Sequence, residues 1–464
     1  MLSLSFPKSA VLSTTLLCLA LCFTNCRKDL KNETELSLSK DASLQSSLTL
    51  SGKPNIILFL ANDVGYEVPT FTGGHSYQTP TLDMMAANGI FFTHTYRHPD
   101  GFPSRLAFYT GKYNFRNYDT WAHYSYQEKT FANMLSDAGY KTCYVGKWQQ
   151  ADGDYGITHR GWQKYRVFLP FQNASQRKGR YKDPVLFEAG AYLPESVTRG
   201  KYSEDMFSDY LCNFIDDNKG VPFLSVYSFN LAASPYVPTP DDPEFANWDP
   251  AHDNTRSNTK YFPGMVKYMD KMINKVITKL KADGIANNTY IFYLSPTATQ
   301  EKITSVWGPN NDKVTGSKLQ TQMWGTLNSL VVYCPAKVSP RIDRTTLIDF
   351  TDFLPTIAAL TKTPKPTTYG ILDGVDFADN IKGTTGANRS WIFCYWDNNE
   401  TKEPPLQRWV NDTTYKLYDT LNYSQFYNMV KDTFERSPIP DSKLTPQEKQ
   451  IKQNFIGVLQ KMHN

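Results

Sequence analysis

The stretch Lys53-Pro54-Asn55-Ile56-Ile57-Leu58-Phe59-Leu60-Ala61 is a continuous apolar run bounded by a proline. A run of this kind, without polar alternation, is typical of a strand buried on both faces of a parallel sheet. The polar residues Asn62 and Asp63 follow it directly. Because open α/β folds build their sites at the carboxyl ends of such strands, the sequence predicts functional side chains here.

The same alternation of strands and helices continues along the chain. Residues 79–89 read as a helix stopped by glycine, and residues 90–96 read as the strand that follows it. Residues 221–229 and 289–295 are further buried strands, and residues 261–284 carry apolar side chains at helical spacing. Between residues 155 and 220 the sequence is less regular, and no chemistry is assigned there.

Composition places the chain among ordinary globular proteins and excludes one class of partner. Its 464 residues are 40% hydrophobic and 20% charged, enough for a large core and one smaller second domain. The 49 Lys and Arg residues nearly balance the 45 Asp and Glu residues, and no long basic run occurs. Nucleic acid is therefore not an expected partner.

The N-terminal segment predicts export. Residues 1–26 contain one early lysine and an apolar stretch that is too short to span a membrane, which is typical of a signal peptide. The segment ends at Cys26 in a sequence similar to a bacterial lipobox. Residues 27–52 read as a flexible tether. The prediction is a lipoprotein of the bacterial cell envelope, with Cys26 as its only membrane anchor.

Four cysteines remain outside the signal peptide, and their spacing does not predict a metal site. No CxxC pair occurs among them, and they allow at most two disulfides. We expect most of them to be free and buried. They are Cys143, Cys212, Cys334 and Cys394.

The segment His98-Pro99-Asp100-Gly101-Phe102-Pro103-Ser104-Arg105 precedes a helix-like run that ends at Tyr113. Pro103 fits a first helical turn, and the helix N-terminus offers backbone donors to an anion. This segment resembles the nucleophile signature of the formylglycine-dependent sulfatases of the alkaline phosphatase superfamily, Cys-x-Pro-Ser-Arg followed by Thr-Gly-Arg/Lys-Tyr. Gly101 stands where that family has its cysteine.

The resemblance extends in one collinear order over residues 53–383, through at least six motifs. It implies an α/β fold in which a large, mixed, mostly parallel sheet is flanked by helices, with a small C-terminal α+β subdomain. The expected boundaries are a sulfatase-like domain at 53–384 and the subdomain at 385–464. The family's activity is the hydrolysis of sulfuric esters, often on glycans.

The departures from the family pattern fall on the positions that carry its chemistry. The resemblance implies that calcium is bound by three Asp and one Asn, yet only Asp63 remains of that set. The family's other metal ligands and its two histidines are replaced by Asn62, Gln149, Ala233, Pro296 and Thr297. No cofactor is therefore expected, and calcium would bind Asp63 and Asn62 only if the family site were still occupied. A shifted register that brings Glu301 to the site is a minor alternative.

The family's cationic positions are retained as Arg105, Lys147 and Lys318. Without the metal they would leave a pocket that attracts anions, so we expect a catalytically silent or strongly impaired relative that binds sulfated or acidic glycan. For each cation, and most of all for Lys318, an ordinary salt bridge is the alternative. Two other functions stay open: a hydrolase with a rebuilt centre, using Ser104 for example, and a structural or partner-binding protein with a vestigial pocket.

Overall fold

The apolar run at residues 53–61 forms the central strand of the main sheet, Asn55–Leu60. Every side chain of this strand is buried, and successive residues point into opposite layers of the core. Ile57 and Phe59 pack in one layer, whereas Leu58 packs in the other. This two-sided burial explains why residues 56–61 are apolar throughout.

The computed structural model describes residues 52–117, 125–150, 152–171, 179–396, 406–420 and 423–462. The strands are β1 Asn55–Leu60, β2 Ile90–Tyr96, β3 Lys141–Lys147, β4 Lys164–Phe168, β5 Phe187–Glu188, β6 Ala191–Tyr192, β7 Phe223–Ser228, β8 Thr289–Leu294, β9 Thr304–Trp307, β10 Asp312–Thr315, β11 Leu327–Tyr333, β12 Arg341–Asp349, β13 Ile392–Trp396, β14 Gln407–Asn411, β15 Tyr415–Tyr418 and β16 Phe426–Asn428. The α-helices are α1 Pro80–Ala87, α2 Gly101–Thr110, α3 Asn114–Asn117, α4 Phe131–Asp137, α5 Gly153–His159, α6 Glu195–Thr198, α7 Ser203–Asn218, α8 Phe262–Ala282, α9 Met323–Thr326, α10 Phe353–Thr361, α11 Ala378–Lys382 and α12 Pro446–Lys461.

The main sheet has ten strands in the order β12-β2-β11-β8-β1-β7-β3-β4-β5-β6. The strands β8, β1, β7, β3 and β4 run parallel to one another. β11 is antiparallel to both of its neighbours, β2 and β8. The prediction of a mixed, mostly parallel sheet is confirmed.

Helices cover both faces of this sheet. The side chains of α7 and α8 pack in one apolar layer, including the predicted methionine stripe of α8 at Met265, Met269 and Met272. The side chains of α2, α4 and α10 pack in the other layer, where Phe108 lies against Phe131 and Phe353. The sheet is therefore sealed on both sides, and polar side chains gather at its edge.

A second, four-stranded antiparallel sheet, β13-β14-β15-β16, lies near the C-terminus. Helix α12 packs on it through Phe455 and Leu459, which share a small apolar core with Val410 and Leu417. The prediction of a small C-terminal subdomain is confirmed. The position of its boundary at residue 385 stays a prediction.

The region between residues 155 and 220 is more regular than the sequence analysis predicted. It contains the 16-residue helix α7, whose buried side chains include Phe207, Leu211 and Phe214. Their spacing of four and three residues is that of an amphipathic helix. The expectation of an irregular segment is therefore wrong for this part of the chain.

The predicted signal peptide and most of the predicted tether lie outside the described residues, which begin at Gly52. Within the described ranges, no helix is long and apolar enough to cross a membrane. The four cysteines outside the predicted signal peptide are all free: Cys143, Cys334 and Cys394 are buried, and Cys212 is half-buried.

Candidate functional site

The predicted site residues meet at the carboxyl edge of the main sheet. β1, β3 and β8 end at this edge because they run parallel. Asn62 and Asp63 follow β1, Lys147 is the last residue of β3, and Thr297 follows β8. Helix α2, which carries Gly101 and Arg105, begins after β2.

Asp63 is the carboxylate of the site and is paired with Lys318. The Lys318 Nζ atom lies 2.7 Å from Asp63 Oδ1 and donates to Oδ2 at 2.8 Å. Gln300 Nε2 donates to Oδ2 at 2.9 Å, a contact that the sequence analysis missed. Burial raises the pKa of Asp63, but the charges of Lys318 and Lys147 outweigh it and lower the pKa to about 2. Asp63 is therefore ionised at neutral pH.

Two threonine hydroxyl groups join the loop after β1 to the loop after β8. Thr297 Oγ1 accepts from the backbone N–H of Asp63 at 2.9 Å, and Thr299 Oγ1 accepts from that of Gly65 at 2.8 Å. Asp63 adopts the left-handed backbone conformation, with φ at 58°. These hydrogen bonds stabilise the left-handed conformation of Asp63, which costs free energy for a residue other than glycine.

Lys147 is a buried cation beside Asn62. Its Nζ atom donates to Asn62 Oδ1 at 3.3 Å, and its side chain is 7% exposed. Burial lowers the pKa of Lys147 well below its usual range, and the charges of Arg105, Arg180 and Lys318 lower it further. A bound anion would offset this repulsion.

Gly101 and Arg105 pack tightly against each other at the start of helix α2. A β-carbon on Gly101 would lie 2.7 Å from Arg105 Nη1 and 2.8 Å from Thr297 Cγ2. Arg105 is 2% exposed, and its Nη1 donates to the Gly101 carbonyl at 3.2 Å. Its Nε and Nη2 are buried and have no hydrogen-bond partner in the part of the chain that the structure describes.

The N-terminus of helix α2 is less open than the sequence analysis expected. The Asp100 side chain caps the helix by accepting from the Gly101 N–H. Ser104 Oγ donates to the carbonyls of Asp100 and His98 at 2.6 and 3.1 Å and is fully buried. The Gly101 N–H therefore already has an acceptor and is not free to bind an anion. The Ser104 hydroxyl is hydrogen-bonded to the backbone, which does not favour a role for Ser104 as a nucleophile.

Arg180 is a further cation of the site that the sequence analysis missed. It lowers the pKa of Lys147, and its guanidinium lies 5.5 Å from the ring centre of Phe168. Arg180 Nη1 also donates to the Ser234 carbonyl. It comes from the region that the sequence analysis left unassigned, and no motif there signals a role.

Three predicted positions supply no reactive group to the site. Gln149 and Ala233, which the sequence analysis predicted to stand at histidine positions, carry side chains that do not exchange a proton at neutral pH. Glu301 is exposed and accepts from Gln320 Nε2 at 3.0 Å, whereas its neighbour Gln300 is the residue that reaches Asp63. The shifted register is therefore not observed.

The donor set around Asn62 and Asp63 does not fit calcium. This ion prefers six to eight oxygen ligands with several carboxylates. Here the Asp63 oxygens face Lys318 and Gln300, and Asn62 Oδ1 faces Lys147. The described ranges also contain no group of three or more His, Cys, Asp or Glu side chains that could hold a metal.

Comparison with known proteins identifies the family. The Sulfatase family model matches residues 54–363, which is more than half of the chain. The N-acetylglucosamine-6-O-sulfatase of Bacteroides thetaiotaomicron is 30% identical over 209 residues, 44% of this chain. That match spans 35% of the relative's own length, about a third.

Solved structures share the fold at low sequence identity. The crystal structure of Ps i-CgsB in complex with k-i-k-neocarrahexaose has a TM-score of 0.72 and 22% identity, covering 88% of this chain and 92% of that one. The structure of BT4656 in complex with its substrate, D-glucosamine-2-N,6-O-disulfate, has a TM-score of 0.70 and 17% identity, covering 88% and 98%. The match to the family model over residues 54–363 and the shared fold lead to one conclusion: the chain belongs to the sulfatase family.

Proposed function

We propose that this protein binds the anionic groups of a sulfated or otherwise acidic glycan at the buried cations Arg105 and Lys147, and that it hydrolyses sulfate esters weakly or not at all. The observation that carries the proposal is the buried guanidinium of Arg105, whose Nε and Nη2 have no partner within the described residues. Buried N–H groups require acceptors, and an oxyanion can supply two at once.

Lys147 adds a second buried donor to the pocket. An ammonium group has three N–H donors, and the hydrogen bond to Asn62 Oδ1 at 3.3 Å is long. Lys147 and Arg105 repel each other in a buried site. An anion bound to both relieves that repulsion, so their proximity favours a negatively charged ligand.

Weak or absent hydrolysis is inferred from the groups that the reaction needs. A glycine at residue 101 cannot supply a nucleophile, and the neighbouring side chains fill the space of its β-carbon. Gln149 and Ala233 cannot donate or accept the proton that a histidine would transfer. A fold does not confer a reaction when its reactive groups are missing.

The glycan part of the proposal is supported by the relatives. One is named N-acetylglucosamine-6-O-sulfatase, and another was solved with D-glucosamine-2-N,6-O-disulfate as its substrate. Both names describe a sulfated sugar. We extend this ligand class to the present chain because Arg105 and Lys147 lie buried at the carboxyl edge of its main sheet.

We also propose that the protein is exported and anchored to the bacterial cell envelope through Cys26. The support is the sequence of residues 1–26, with its short apolar stretch and its lipobox-like end. An anchored glycan-binding protein at the envelope would meet its ligand outside the cytoplasm.

Binding is tested with purified protein and sulfated oligosaccharides in calorimetric titrations. We expect wild type to bind and Arg105→Ala/Lys147→Ala to lose binding, while the exposed Lys260→Ala variant binds like wild type. Failure of every sulfated or acidic oligosaccharide to bind would leave the vestigial-pocket alternative as the better explanation.

Hydrolysis is tested by measuring sulfate release from the same oligosaccharides, with a preparation that is free of other sulfatases. We expect no release above that of the Arg105→Ala variant. Release that depends on Arg105 would favour the alternative of a rebuilt catalytic centre.

A further inference from the structure

We infer that Lys318 is the built-in counter-ion of Asp63 and takes the structural place of a metal cation, so that the site is assembled without a divalent ion. The inference rests on the proposed function in one respect. It assigns contact with the anionic ligand to Arg105 and Lys147, and it makes Lys318 a positioning residue that acts through Asp63.

Lys318 balances the charge of Asp63. The Asp63 side chain is 1% exposed, and a buried carboxylate without a positive partner is strongly destabilising. Lys318 Nζ lies within 2.8 Å of both carboxylate oxygens, as a bound cation would. Lys318 is itself 25% exposed, so it retains contact with water while it neutralises Asp63.

Backbone contacts hold Lys318 at this position. Its N–H donates to the Thr299 carbonyl at 2.9 Å, and the N–H of Leu319 donates to the Pro99 carbonyl at 3.3 Å. Gly316 allows its loop to lie close to the loop that carries Gln300, because a β-carbon on residue 316 would lie 2.1 Å from the Gln300 carbonyl oxygen. Lys318 is therefore built into the site and is not a mobile surface lysine.

Direct hydrogen bonds connect the loops that surround Asp63. Asp63 receives a hydrogen bond from Gln300, and its own N–H donates to Thr297. Gly65 donates to Thr299, whose carbonyl accepts from Lys318. Hydrogen bonds within the protein therefore connect three loops, at residues 62–65, 297–300 and 316–319.

The consequence for the ligand follows from the sign of the charges. An ionised and unbalanced Asp63 would repel an anion in the pocket. With Lys318 paired to it, Asp63 is neutralised, and the charges of Arg105 and Lys147 are left to attract the ligand. Lys318 then controls affinity without touching the ligand.

A double-mutant cycle with Lys318→Met and Asp63→Asn tests the inference. We expect Lys318→Met alone to weaken binding of a sulfated oligosaccharide by about tenfold or more. The double variant removes both charges, so the net charge near the ligand is the same as in wild type. It should bind within about threefold of wild type. If Lys318 touches the ligand directly, the double variant stays as weak as Lys318→Met, and the inference is overturned.

Thermal stability gives a readout that does not depend on any glycan. We expect Asp63→Asn to raise the melting temperature in the Lys318→Met background and to leave it unchanged or lower it in wild type. The exposed-pair variant Lys260→Met should not alter the effect of Asp63→Asn. This sign reversal does not depend on glycan binding. It therefore distinguishes a failure of the inference about Lys318 from a failure of the proposed glycan binding. Equal effects of Asp63→Asn in both backgrounds would contradict the inference.

Calcium itself is the last probe. Wild type should have the same melting temperature in EDTA and in excess calcium, because the ammonium group already supplies the positive charge. A calcium-dependent rise in the melting temperature of wild type would overturn the inference, whether or not the protein binds glycan.

Discussion

Arg105 Nη1 lies 2.7 Å from the point at which a side chain on Gly101 would place its β-carbon. Thr297 Cγ2 lies 2.8 Å from the same point, and the Thr297 hydroxyl is fixed by the Asp63 N–H. A guanidinium can move, but a buried β-branched side chain with a fixed hydroxyl moves little. The glycine at residue 101 is therefore required by its neighbours in this arrangement.

Substitution of Gly101 by alanine should destabilise the protein and weaken anion binding. The added methyl group displaces the Arg105 guanidinium and presses on Thr297, and overpacking of this kind costs about 1–3 kcal/mol. Urea denaturation measures the change. Gly457→Ala in helix α12 is the matched control: its β-carbon meets nothing within 4 Å, so it should stabilise by about 0.5–1 kcal/mol. A Gly101→Ala variant as stable as wild type would show that the site is not packed in this way.

Replacing Arg180 by alanine should weaken anion binding by about three- to tenfold, or about 1 kcal/mol, through loss of a nearby positive charge. The effect should shrink as salt is added, because salt screens charges that do not touch the ligand. Titration at two ionic strengths measures both quantities. Arg199→Ala removes an arginine that is 73% exposed and should leave the affinity unchanged. Equal affinities of the Arg180→Ala variant and wild type at low salt would exclude Arg180 from the site.

Glu204 should make stability fall between about pH 4.5 and pH 7. Burial raises the pKa of Glu204 to about 7, although Tyr227 and the N–H groups of Asn230 and Leu231 donate to it. Between its unfolded and folded pKa values the native state binds more protons, so stability decreases as pH rises, by about 3 kcal/mol in all. Urea denaturation at pH 5 and pH 8 should give a larger loss for wild type than for Glu204→Gln. Identical losses would contradict the assignment.

Arg389 should be irreplaceable by lysine. Its guanidinium pairs with Asp352 and donates to the Asp373 carbonyl at 2.8 Å and to Tyr113 Oη at 3.0 Å, in a buried position. A lysine cannot reproduce this planar set of donors, so Arg389→Lys should lose about 2–4 kcal/mol of unfolding free energy. Lys382→Ala breaks an exposed pair with Asp379 and should change stability by less than about 1 kcal/mol. Chemical denaturation compares the two, and equal losses would show that the Arg389 contacts add little.

Four strands of the main sheet, β1, β2, β7 and β8, could be predicted because they are local sequence patterns. Residues 56–61 are apolar throughout because they are buried on both faces of the sheet. The proline indicated the helix at residues 101–110, which ends three residues before the predicted end at Tyr113. Helix α7 was missed even though Phe207, Leu211 and Phe214 have helical spacing. In that case the signal was present in the sequence and was not recognised.

The sequence by itself determined the fold class and the family, and it predicted Arg105, Lys147 and Lys318 as the cations of the site. The sequence also predicted that Gly101, Asn62 and Ala233 replace residues that carry the family's chemistry, and this stays a prediction. Only the tertiary structure decided what each cation does: Lys318 pairs with Asp63, whereas Arg105 keeps buried N–H groups without partners within the described residues. It also brought Gln300 and Arg180 to the site. The physical reason is that pairing depends on distances between loops far apart in sequence, and residue spacing along the chain does not encode those distances.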